Sequence, residues 1–280
     1  MIKRTYSFYI GQSCKALFLV LLVFLSLFPI YWTAVNSFRT NTQIYSRFRF
    51  FPEQLNFNAY TGLFKSKTIL VSLFNSFIVT GSVMVFSTLV VLLASYALGI
   101  YRFRFGAFIY LAFVAAMFIP SGTTMGTIYK LMGSMHLLGS RTGVILIYIS
   151  SRLALSIFLM TAFMQTIPLA VEEAAIIDGC NSWSLFSRII VPLSQNGIMV
   201  ILILTFINVW NEYIWAMIML PSRSLRTLTV TLASYFKTEF TTDYAFLSAG
   251  VVLGMLPILV VYLLLQERII DGLVASAVKG

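Results

Sequence analysis

Six long stretches with little or no charge dominate this chain and limit its fold more than any motif does. A helix needs about 20 apolar residues to cross the hydrocarbon core of a bilayer, and runs of that length lie at 16–36, 70–100, 106–129, 142–165, 195–219 and 245–266. In hydrocarbon every backbone N–H and C=O must be paired within the protein, which a helix achieves with its own residues. The predicted fold is therefore an all-α integral membrane protein with six transmembrane helices, a single transmembrane domain over residues 1–280. The 70–100 run exceeds one vertical crossing and predicts tilt or an extension outside the bilayer. Pro120 and several glycines predict a bend in the third run, and Pro257 lies in the sixth. Residues 37–69, with Phe50, Phe51, Pro52 and Asn56-Phe57-Asn58, read as an ordered loop or lateral helix outside the bilayer.

Composition agrees and excludes other classes. The chain is 59% hydrophobic and 10% charged, against about 45–50% and 25% in soluble domains. The net charge of +10 sits in short connections and tails, which predicts contact with anionic lipid headgroups and no nucleic-acid partner. The first apolar run follows Lys15 without a small-residue cleavage site, so it is expected to stay as a helix. Cys14 and Cys180 are expected to be reduced thiols. No Gly-rich phosphate loop with an adjacent Lys-Ser/Thr occurs, and neither the single histidine, His136, nor the cysteines have metal-ligand spacing. The expectation is a non-enzyme with no catalytic residue, no metal and no cofactor on this chain.

Between the fourth and fifth runs lies a charged insert, Thr166 to Leu193. Pro168 suits a helix start, Glu172 and Glu173 favour the positive end of its dipole, and Gly179 after Asp178 predicts a left-handed stop. Asn181 or Ser182 caps a second short helix, in which Trp183, Phe186 and Ile190 form one apolar face before Pro192 closes it. Ala174 and Ala175 allow close approach of a partner backbone. An amphipathic helix lying on the membrane is the bland alternative, but it predicts basic residues on the polar face. Glu172, Glu173 and Asp178 outnumber Arg188, so a protein partner is the better reading.

Inside the spans, four polar residues stand out: Arg152 in the fourth, and Asn208, Asn211 and Glu212 in the fifth. An ionisable group within a span is by default a functional site, whereas asparagines serve equally well for interhelical hydrogen bonding. The four are predicted to line a translocation pathway. Arg152 is close to midplane, and Glu212 is a candidate partner for its charge. Such a pair also suits a secondary transporter, the rival reading.

Glu173-Ala174-Ala175, Asp178-Gly179 and the Ile189-Ile190-Val191-Pro192-Leu193 run resemble the EAA signature in membrane subunits of binding-protein-dependent ABC importers. Asn75-Ser76, Trp210-Asn211-Glu212 and Ala277-Val278-Lys279-Gly280 extend the likeness over nearly the whole chain. The chain is most similar in pattern to the carbohydrate-uptake class, of the second, shorter membrane-subunit type found in maltose importers. The resemblance implies a multi-pass protein of the bacterial cytoplasmic membrane with both termini in the cytoplasm, an orientation that charge counts leave open. It implies that the insert is a coupling helix docking on a separate ATPase through Glu172, Glu173, Ala174, Ala175, Asp178, Gly179, Trp183 and Phe186. The tail Val278, Lys279 and Gly280 would reach the ATPase pair. The implied partners are a homologous membrane subunit, two ATPase subunits carrying ATP and Mg, an extracytoplasmic solute-binding protein and a sugar.

Overall fold

The computed structural model describes residues 6–46, 48–101, 103–235 and 243–277, and among these every regular element is a helix. The predicted tail contacts Val278, Lys279 and Gly280 lie outside the described residues. Among the described residues four helices are long and apolar enough to cross a membrane: Gln12–Asn36, Lys67–Gly99, Arg141–Met164 and Tyr244–Gln266. They match the first, second, fourth and sixth predicted runs closely. The two remaining runs are interrupted.

The third run, expected as one span over 106–129, forms Gly106–Ala116 and Ser121–Ser134. At about 1.5 Å per residue the first of these reaches only about half the hydrocarbon thickness. Pro120 accounts for the break: it has no N–H to donate, and it disfavours the α conformation at Ile119. With φ −64° and ψ 127° it leads into the second helix as an extended residue. The fifth run, expected over 195–219, forms Gln195–Trp210 and Ile214–Met219.

By contacts the chain divides into two compact units, one of Met1–Lys67 with Leu232–Met255 and the other of Thr68–Thr231 with Leu256–Gly280. In the first, the Tyr6–Asn36 helix exposes leucine, valine and phenylalanine on every side from Leu17 to Leu25, the pattern of a helix surrounded by lipid or by partner helices. The loop that follows it is ordered by Arg39, only 3% exposed. Its guanidinium lies 5.2 Å from the Trp32 ring centroid and donates to Asn36 Oδ1 at 3.1 Å and to the Phe51 and Arg49 carbonyls. One buried cation thus gathers the chain around it, as the reading of an ordered loop expects. Asn41 closes the unit, donating to Asp243 Oδ1 at 3.0 Å and accepting from Ala245 N at 3.1 Å.

The second unit has two apolar clusters strung along the Arg141–Met164 helix. One gathers Val79, Val144, Ile147, Tyr148, Trp215 and Met219, and the other Tyr96, Ile157, Met160, Met164, Phe186 and Ile201. Arg152 falls between them in sequence. Asn75-Ser76 secures a connecting segment to the first cluster: the Asn75 amide donates to the Ser224 and Arg226 carbonyls at 2.9 and 3.0 Å, and Ser76 Oγ accepts from Leu228 N at 2.8 Å.

Candidate functional site

The insert folds as two helices, Leu169–Ile177 and Ser182–Leu193. Glu172 lies in the first turn of the first helix, where the helix dipole favours a negative charge. The helix ends in a Schellman arrangement: Cys180 N donates to Ala175 O and Gly179 N to Ile176 O, both at 3.0 Å. Gly179 takes φ +83°, a left-handed conformation that glycine adopts without a Cβ penalty. Asn181 then caps the second helix, its Oδ1 accepting from Ser184 N at 2.8 Å.

Pro192 does not close that helix, contrary to the sequence reading. The chain widens to a π turn over Phe186–Ile190, with Val191 N donating to Phe186 O, and stays helical to Leu193. A proline ring crowds the carbonyl four residues earlier and leaves it without a donor, which a π turn accommodates. The bend comes one residue later, at Ser194, where Ser182–Leu193 meets Gln195–Trp210 at 73°.

Not all of the predicted docking residues face outward. Ala175 is 3% exposed and Phe186 8%, and both join the apolar cluster around Tyr96, Met160 and Met164. Neighbouring helical positions are about 100° apart, so Ala174 and Ala175 point in different directions. Ala174 is exposed, with Glu173, Asp178 and Gly179. Trp183, expected on the same apolar face as Phe186 and Ile190, is 66% exposed, its ring centroid 5.4 Å from that of Phe186. Leu169, Ile176 and Ile177 are also exposed, Ile177 at 84%. The outward surface is thus an apolar patch among acids. Glu172 is half-buried, and burial first, then the neighbouring Glu173 charge, hold its carboxyl above the usual range.

The insert is fixed to the rest of its unit by Tyr96, which the sequence reading missed. Its hydroxyl donates to Ser182 O at 3.0 Å and its ring lies 5.0 Å from that of Phe186. A phenol near the end of an otherwise apolar span was the available signal.

Glu212 occupies the break in the fifth run. Its carboxylate accepts from Trp215 N at 2.9 Å and Ala216 N at 3.2 Å, and from the Tyr148 hydroxyl, while Thr229 Oγ1 donates to its carbonyl at 3.0 Å. It therefore caps Ile214–Met219, satisfying N–H groups that open at any helix start. The expected partnership with Arg152 is not a direct one: among the described residues no ion pair joins them, although the Glu212 charge acts on Arg152 through space.

Arg152 instead lines a cavity of about 420 Å³, together with Thr124, Ser150, Ser151, Thr205, Asn208 and Trp215. The Arg152 Nε is buried without a hydrogen-bond partner. A charge at the centre of a span costs on the order of 2.5–3.5 kcal/mol on insertion scales, so an arginine here is retained against a penalty. Of the four predicted pathway residues, Arg152 and Asn208 line this cavity; Asn211 and Glu212 do not. Both asparagine amides donate back to their own helix, Asn208 to Leu204 O at 2.7 Å and Asn211 to Ile207 O at 2.8 Å.

Comparison with known proteins adds four findings. Residues 5–273 match the family described as "Binding-protein-dependent transport system inner membrane component". The sulfoquinovosyl glycerol transport system permease protein SmoH of Agrobacterium fabrum is 30% identical over 275 residues, covering 98% of this chain and 96% of its own. The arabinooligosaccharides transport system permease protein AraQ of Bacillus subtilis is 29% identical over 287 residues, covering 100% of both. A chain in the crystal structure of a bacterial ABC transporter involved in the import of the acidic polysaccharide alginate superposes with a TM-score of 0.87. At 23% identity, over 95% of this chain and 99% of that one, the superposition shows a shared fold.

Proposed function

Because the chain belongs to the family of binding-protein-dependent transport system inner membrane components, we propose that it is a membrane subunit of an ATP-driven ABC importer for a sugar or oligosaccharide. The relatives named for sulfoquinovosyl glycerol and arabinooligosaccharide transport support the substrate class. In this reading the chain crosses the cytoplasmic membrane six times, with the interrupted third and fifth runs counted as spans and both termini in the cytoplasm. It forms half of the translocation pathway beside a homologous membrane subunit, and an extracytoplasmic binding protein delivers the sugar. ATP and Mg belong to two partner ATPase subunits.

The observation that carries the coupling role is the outward surface of the Thr166–Leu193 insert. Ile176, Ile177 and Trp183 are exposed around Glu173, Ala174 and Asp178. An apolar patch rimmed by charge marks a protein contact, and acids disfavour the anionic leaflet as its occupant. Ala175, Phe186 and Tyr96 act from beneath, holding the insert to the spans so that it moves with them. When the ATPase pair closes on ATP, the insert follows and the pathway changes the side to which it opens.

Cysteines at Ala174 and in the groove of the ATPase subunit test this in the intact complex. The expected outcome is a cross-link whose yield changes on adding ATP. Cross-linking of Ala174→Cys to another ATPase surface, with none in the groove, refutes the assignment.

A further inference from the structure

The charge of the cavity around Arg152 is one-sided, and from this we infer that the transported saccharide carries an anionic group, a carboxylate or sulfonate, that docks on the Arg152 guanidinium. The inference rests on the reading of this cavity as part of the pathway. Arg152 is the ionisable group in its walls, and no carboxylate lines it. The other polar groups are hydroxyls and one amide. Ser150 and Ser151 donate to the Ile147 and Tyr148 carbonyls at 2.9 and 3.0 Å, and the Asn208 amide donates to Leu204 O. Arg152 thus keeps its Nε buried and unpaired.

No ion pair within the protein supplies the missing partner, although the Glu212 charge acts on Arg152 through space. Glu212, the acid at the nearby helix break, gives its carboxylate oxygens to Tyr148, Trp215 N and Ala216 N. A guanidinium presents five N–H donors in a planar fork that matches an oxyanion with two parallel bonds, and such charge-assisted bonds are about twice as strong as neutral ones. A neutral sugar hydroxyl accepts a bond from the guanidinium but brings no countercharge and no second oxygen to fill the fork. An anionic sugar supplies the missing countercharge itself, while its hydroxyls meet the serine and asparagine groups and its apolar face meets Trp215.

The test uses the whole importer with its binding protein in proteoliposomes. Short oligouronates form the carboxylate arm, sulfoquinovosyl glycerol the sulfonate arm, and carboxyl-reduced oligouronates with arabino- and malto-oligosaccharides the neutral arm. Uptake in one acidic arm at least about tenfold faster than in any neutral arm is expected, and which arm it is identifies the anion. Arg152→Gln should then lower that uptake by about tenfold or more, the scale of one charge-assisted contact. Arg152→Lys, which keeps the charge but loses the fork, should fall between the two. Uptake confined to neutral saccharides, no uptake of either acidic class, or normal acidic uptake by Arg152→Gln overturns the inference. Thiol labelling of Ala154→Cys, on the same wall, separates this from the underlying pathway reading. If label blocks uptake while the anion preference is absent, only the charge inference fails; if label has no effect, the pathway reading fails too.

Discussion

The two ends of the Arg141–Met164 helix are built on opposite terms. Near its start, Tyr148 and the backbone N–H groups of Trp215 and Ala216 converge on the Glu212 carboxylate, and Asn75-Ser76 pins the adjoining segment. That end is a polar network turned inward within an apolar cluster, with Asn75 Oδ1 left unpaired. Beyond its finish at Met164, the insert turns acids and large apolar side chains outward, with Ile177 nearly bare. Hydrogen bonds made within the chain stabilise the chain itself, since breaking them strands buried groups. A surface left unsatisfied contributes nothing until a partner covers it. The same helix therefore joins a structural anchor to an interaction surface, and disruption at the two ends should separate folding from coupling.

The largest effect is expected at the anchor. Glu212→Ala leaves a phenol and two backbone N–H groups unpaired, at about 1–3 kcal/mol for each group that finds no water, so a loss of about 2–4 kcal/mol in stability should follow. Thermal unfolding of the detergent-solubilised complex and its membrane abundance report this. Adding Arg152→Gln should give a loss smaller than the sum of the two single losses, because the two charges act on each other through space although they form no ion pair. A strictly additive loss would show that the two charges are screened from each other.

A smaller effect on stability, with a larger one on transport, is expected at the elbow. No atom lies within 4 Å of a Cβ built on Gly179, so Gly179→Val costs only its backbone conformation, on the order of 1–3 kcal/mol. Relief of that strain re-aims Ser182–Leu193. Normal abundance with loss of substrate-stimulated ATPase activity is the predicted combination. Wild-type coupling in this variant would show that the elbow angle is immaterial.

The smallest effect concerns pH. The Glu172 carboxyl is held above its ordinary range, so the folded insert favours the protonated form. It is relatively more stable at acid pH and loses that increment as pH rises through the raised value. Melting curves of wild type and Glu172→Gln from about pH 4 to about pH 7, bracketing ordinary carboxylate titration, should diverge, with a flatter profile in the variant. Identical slopes would assign the pH dependence to other groups.

Much of the fold was legible because hydrocarbon imposes a length: the runs at 70–100 and 142–165 became Lys67–Gly99 and Arg141–Met164 with hardly a change of boundary. Pro120 announced its break through a missing donor. The break at Asn211–Tyr213 has no such marker, because it depends on a glutamate capping the helix after it, and capping looks the same in sequence as a buried charge awaiting a partner. Hence Glu212 was legible as important, but its direct partners, Tyr148 and the backbone N–H groups of Trp215 and Ala216, were not. In the insert, Gly179 and Asn181 act locally and could be read directly. Which of Ala174 and Ala175 faces out depends on Tyr96 and Phe186, distant in sequence, and no local pattern carries that.

The 73° junction at Ser194 makes a bell crank of two helices that sequence alone would treat as separate parts. One arm, Ser182–Leu193, is roughly 18 Å long, and Asn208 lies about 21 Å along the other at about 1.5 Å per residue. If the piece pivots as a rigid body, a rotation of about 10° displaces the Ser182 end by roughly 3 Å and Asn208 by roughly 4 Å on those same lengths. A push at the protein's edge is then delivered, turned through a corner and slightly magnified, to the wall of the Arg152 cavity.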